Sequence, residues 1–64
     1  MHNSEVSKKA FYKLFDSSDD LQLTENKETY IMESYYNVDL DVSGEAIYNH
    51  VSSVWQYYIV DINL

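Results

Sequence analysis

The stretch "TYIMESYYNVDLDVSGE", residues 29–45, reads either as a helix or as an extended strand, and the rest of the chain follows from that choice. From residue 30 to 42 the even positions are Tyr30, Met32, Ser34, Tyr36, Val38, Leu40 and Val42, of which only Ser34 is neither apolar nor aromatic. The odd positions are Thr29, Ile31, Glu33, Tyr35, Asn37, Asp39 and Asp41, and every carboxylate of the run falls at an odd number. Successive side chains of a strand point to opposite faces, so this alternation is that of a half-buried strand. Its β-branched and aromatic content agrees. A helix capped by Thr24 would gather Tyr30, Ile31, Tyr35 and Val38 into a ragged stripe, a poorer fit. The strand reading predicts apolar even residues beneath and an outward file of Glu33, Tyr35, Asp39 and Asp41.

On the N-terminal side, "NSEVSKKAFYKLFD" (3–16) predicts a helix. Val6, Ala10 and Leu14 recur at four-residue steps with Phe11 and Phe15 alongside, making one apolar stripe. Asn3 or Ser4 would cap it, Glu5 would sit in its first turn, and "DSSDD" (16–20) would end it. "LQLT" (21–24) pairs with the central strand through a turn at "ENK". On the C-terminal side, "DVSGEAIYNHVSS" (41–53) reads as a strand running into a short helix, with Ser43 as cap, Glu45 in the first turn, and Ile47 and Val51 one turn apart. "VWQYYIVDINL" (54–64) has high strand propensity. Val54, Tyr58, Val60 and Ile62 line one side of it; Trp55, Tyr57 and Ile59 line the other. A strand apolar on both faces lies inside a sheet or is covered by another molecule.

The expected fold is therefore α+β: one small domain over residues 1–64 with an N-terminal helix, two or three antiparallel strands and a second short helix. The alternative is an all-α arrangement of three helices, because Ile47, Val51, Val54, Trp55 and Tyr58 also fit a 3.6-residue period.

Composition narrows the function. A chain of 64 residues buries only about 60% of its unfolded surface, so its core is marginal. It has no cysteine, which removes disulfides and thiolate metal sites together. Seven tyrosines, two phenylalanines and one tryptophan argue for a folded chain rather than an acidic disordered tail. The net charge of −7 is unevenly placed: residues 1–13 carry +2 through Lys8, Lys9 and Lys13 against Glu5, and residues 14–64 carry −9. There is no arginine. Direct nucleic-acid binding needs clustered Lys and Arg and is not expected. An acidic membrane surface is disfavoured by the same repulsion. His2, Asn3, Ser4 and Glu5 stand where a signal peptide would place a basic and then an apolar run, so a cytoplasmic protein is expected.

No motif names a reaction. Asp39, Asp41, Ser43 and Gly44 match the opening positions of a helix-loop-helix calcium loop, but Ile47 and His50 stand where its later ligands belong. No metal or cofactor is expected. His50 is one of only two histidines, the single glycine excludes a phosphate-cradling loop, and no nucleophile has a base paired with it, so the chain reads as non-enzymatic.

Binding remains. Same-face residues on a strand stand about 6.6–6.8 Å apart, close to two phosphate steps of a DNA strand. A rigid row of Glu33, Asp39, Asp41 and Glu45 would present phosphate-like charge, with Tyr35 and Tyr48 packing beside it. In size, charge and tyrosine content the chain resembles the small acidic inhibitors that phages and mobile elements make against host nucleic-acid enzymes. That resemblance implies a non-enzymatic inhibitor, some of them nucleic-acid mimics, whose partner is a protein with a basic groove such as a nuclease. The alternative is a regulatory or assembly module that binds a protein through the aromatic surface of Trp55 and Tyr57, with the charge serving solubility. A homodimer would cover the same surface.

Overall fold

The computed structural model describes residues 2–61, with side chains from 3 to 60; Ile62 lies outside the described residues. The order of elements is β1 (His2–Val6), α1 (Lys8–Leu14), β2 (Leu21–Asn26), β3 (Tyr30–Asn37), β4 (Val42–Asn49) and β5 (Val54–Asp61). All five strands form one antiparallel sheet in the order β1-β5-β4-β3-β2. Strands β2 to β5 are a meander, and β1 closes the far edge beside β5. The β1–β2 connection carries α1 over one face of the sheet. No helix among the described residues is long and apolar enough to cross a membrane.

Local chemistry sets the strand ends. Asn37 Oδ1 accepts the Leu40 N–H at 3.1 Å, and Asn49 Oδ1 accepts the Val51 and Ser52 N–H groups at 2.8 and 3.1 Å. An Asn side chain that bonds the backbone two or three residues on starts a turn. Asp41 and Ser53 close the two turns in the left-handed region, at φ 54° and 59°. In the α1–β2 loop, Asp16 Oδ1 accepts the N–H groups of Ser18 and Asp19, which holds its carboxyl below the usual carboxylate range.

The sheet has a helix side and an open side. Residues opposite one another in antiparallel strands share a face, so the register gives the rows directly. Tyr35, Gly44, Ile59 and Ser4 form one row on the helix side; Glu33, Ala46, Tyr57 and Val6 form the next; Ile31, Tyr48 and Trp55 form the third. The core is Phe11 of α1 and the C-cap residue Phe15 set on Tyr35, Ala46 and Tyr57. Ser7 caps the helix, its Oγ accepting the Ala10 N–H at 3.1 Å, and Asn37 Nδ2 donates to the Leu14 carbonyl at the other end.

Several expectations are corrected. The protein is mostly β, neither helix-first with two or three strands nor all-α. The N-terminal helix begins at Lys8, because residues 2–6 are taken by the edge of β5, where Val6 pairs with Tyr57 and Glu5 with Tyr58. No second helix starts at Ser43: residues 42–49 are β4, paired on one side with β3 and on the other with β5. Residues 43–49 are paired on both sides, which outweighs a local cap signal. The central strand stops at Asn37, so Asp39 and Asp41 lie in a turn with Val38 73% and Leu40 55% exposed. The faces are also reversed. Tyr35, expected outward, is 3% exposed, while Met32, Ser34 and Tyr36 point to the open side. Only the odd positions meet the small residues Gly44 and Ala46, where Phe11 and Phe15 can seat.

Candidate functional site

Helix α1 covers the rows of Tyr35 and Tyr57 and stops short of the third row. What remains beyond the core is a ladder of rings. Phe11 packs on Tyr57 (centroids 5.2 Å), Tyr57 stacks on Trp55 (6.2 Å, 16° between planes), and Trp55 meets Tyr48 at 5.2 Å. Tyr48 in turn meets the His50 ring edge-on at 5.3 Å. The ladder therefore runs from the fully buried ring of Phe11 through Trp55, which is 38% exposed, to Tyr48 and His50. β5 supplies two of its rungs and β4 the third, each from the interior of the sheet rather than from a loop. Tyr48 and Tyr57 are paired on both sides, whereas Trp55 is paired with Tyr48 alone, because the β1 pairing ends at Val6 and Tyr57.

Glu33 stands beside this ladder. It faces Ala46 across β3–β4, and Ala46 faces Tyr57 across β4–β5. The Tyr35 hydroxyl donates to Glu33 Oε1 at 3.2 Å. Tyr12, from α1, packs edge-on against both Tyr35 (6.1 Å) and Tyr57 (5.7 Å). Burial, then the Tyr12 hydroxyl and the Glu33 charge, push the Tyr35 phenol well above the ordinary tyrosine range. Burial chiefly, with Tyr12 and Glu33 adding, raises Tyr57 as well. The Tyr35 phenol stays protonated and keeps its O–H on the Glu33 carboxylate.

Of the residues singled out from the sequence, Glu33, Tyr35, Tyr48, Trp55 and Tyr57 share the helix side. Tyr35 belongs to its core and acts by holding Glu33. Glu45 is on the open side, between Ser34 and Tyr58. Asp39 is exposed in the β3–β4 turn, and Asp41 accepts the Tyr36 hydroxyl at 2.6 Å, raising that phenol. The outward acidic file is thus not formed: its members lie on two faces and in a turn. Asp41 and Gly44 of the calcium-like stretch belong to a turn and to the core. Sequence reasoning missed Tyr12 as a site neighbour. It also missed the pair Gly44 and Ala46, whose small side chains at alternate positions mark where rings cross the sheet.

Among the described residues the one ion pair joins Lys27 to Glu25, at 3.7 Å. Lys8, Lys9 and Lys13 are exposed on α1. The arrangement provides an aromatic surface on paired strands beside a half-buried carboxylate that pairs with no lysine among the described residues. No protein-family model matches the chain, and comparison with curated proteins and with solved structures finds no match.

Proposed function

We propose that the chain is a non-enzymatic binding module for a protein partner with a basic surface, which it grips through the ring ladder of Tyr48, Trp55 and Tyr57. The observation that carries this is the exposure of Trp55, whose ring stacks on the core residue Tyr57 on one side and meets Tyr48 on the other. Tyr and Trp concentrate binding energy at interfaces because they bury large area with few rotatable bonds. The net charge of −7 then steers a basic partner toward the site. Phosphate mimicry by an acidic row has weaker support, because Asp39 and Asp41 sit apart from Glu33 and Glu45. Nucleic-acid-processing proteins remain one class of basic partner, and inhibition of such a protein is the regulatory outcome this reading favours.

The test is affinity capture with the immobilised chain at two salt concentrations, followed by a binding constant for the purified partner. Trp55→Ala should weaken it by about 2 kcal/mol or more, the range of interface anchors. Asp39→Asn with Asp41→Asn should cost far less. The opposite ranking would remove the proposal. Competition with duplex DNA tells whether the partner's nucleic-acid groove is the surface engaged, and sedimentation of the free chain tells whether a second copy occupies the ladder instead.

A further inference from the structure

Glu33 is an odd choice for its place. It sits on an interior strand, on the face that carries the core, between the rows of Tyr35 and Ile31. A half-buried carboxylate is costly unless it is paired. Here Tyr35 donates one hydrogen bond to Oε1, whereas an ionised carboxylate offers about four acceptor positions. None of the chain's lysines forms an ion pair with it among the described residues. Glu33 lies one row from Tyr48 on the same face of the sheet. Tyr48 is the diagonal neighbour of Glu33 across β3–β4, a separation of about 7–8 Å that long side chains bridge, and Trp55 lies directly opposite Tyr48.

We infer that Glu33, Tyr48 and Trp55 form a seat for one arginine side chain of the partner. This deepens the binding-module reading and rests on it. A cation is attracted to the face of a ring within about 6 Å of its centroid, most strongly to tryptophan. A planar guanidinium lies flat on the indole and directs N–H groups sideways to the carboxylate in a fork; an ammonium does one or the other. The Tyr35 hydroxyl holds the carboxylate in place beforehand, so little ordering is left for binding. The same geometry gives Glu33 its pairing partner from outside the chain.

The experiment uses the full chain and a blocked tetra-arginine peptide, with tetra-lysine and tetra-citrulline peptides as controls. Trp55 is the only tryptophan, so its fluorescence reports this surface alone, and calorimetry follows the variants. The arginine peptide should change Trp55 emission saturably, bind several-fold tighter than the lysine peptide, and leave the citrulline peptide silent. Glu33→Gln should weaken it about tenfold, as expected for a charge-assisted hydrogen bond. Asp39→Asn with Asp41→Asn, which removes twice the charge elsewhere, should weaken it less than about twofold. Trp55→Leu provides a second variant at an exposed position should Glu33→Gln fail to fold by circular dichroism; it should lose the preference for arginine over lysine. Equal weakening by the Glu33 and the Asp39/Asp41 changes overturns the seat, as does equal binding of arginine and lysine. A captured partner that depends on Trp55 but is indifferent to Glu33→Gln likewise refutes the seat while the module reading stands.

Discussion

A Cβ atom added to Gly44 would lie 2.5 Å from Cε2 of Phe15 and 2.8 Å from Cε2 of Phe11. The rings of Phe11 and Phe15 thus press directly on the single glycine of the chain, whose backbone is ordinary strand, so space rather than torsion requires it.

Gly44→Ala should therefore lift the helix. Overpacking of this kind costs typically about 1–3 kcal/mol. In a domain of this size each kcal/mol lowers the melting temperature by about 4–8 °C. A urea midpoint equal to that of the parent chain would show that the rings move aside freely. Phe11→Ala, which empties the centre of the core, should cost about 3–5 kcal/mol and leave the domain largely unfolded.

Asn37 ties the helix end to the turn: its amide donates to the Leu14 carbonyl and its Oδ1 accepts the Leu40 N–H. Asn37→Ala removes both, for an expected loss of about 1–2 kcal/mol. Amide exchange should quicken at Leu40 in the β3–β4 turn while β4 and β5 stay protected. Uniform loss of protection instead would mean that the tie is global rather than local.

Alkaline pH should destabilise the fold. Tyr35 and Tyr57 are held above the ordinary phenol range mainly by burial, whereas in the unfolded chain they ionise near pH ~10. Above that value the folded state binds more protons than the unfolded one, so stability falls as pH rises; below it the contribution is fully present. Urea midpoints should hold to about pH 9 and drop beyond about pH 10, with a shallower drop for Tyr35→Phe. A midpoint flat to about pH 11 contradicts the burial of these hydroxyls.

Trp55→Ala should leave the fold in place, because its ring is partly exposed and lies outside the core residues. Its unfolding midpoint should move far less than that of Phe11→Ala, while partner binding falls by at least the ~2 kcal/mol expected of an anchor. Joint collapse of stability and binding would make Trp55 a packing residue.

Much of the site was legible as a set of residues and little of it as an arrangement. The extended character of residues 30–37, the pairing of residues 21–24 with them, and the strand at 54–60 follow from alternation and β-rich composition. The amphipathic stripe of Phe11 and Phe15 also located the helix centre. The boundaries did not follow: Val6 suits either a helix stripe or an edge strand, and only its pairing with Tyr57 selects the latter. At β3 the alternation marks two faces without naming the inner one, since both bear tyrosine. Tyr35 and Tyr36 look alike in sequence, yet one is core and the other bonds Asp41 at the surface.

Local pattern and composition settled that the chain is short, acidic, cysteine-free and rich in rings, with segments of strand period around one aromatic helix face. Those properties belong to each residue and its near neighbours, so they survive reading the chain piece by piece. Which face became the interior, that residues 42–49 extend instead of coiling, and that Glu33 shares a sheet face with Tyr48 and Trp55 were settled by pairings between distant strands. Backbone hydrogen bonds to two neighbours, and the fit of Phe15 over Gly44, outweigh any local preference of a few tenths of a kcal/mol.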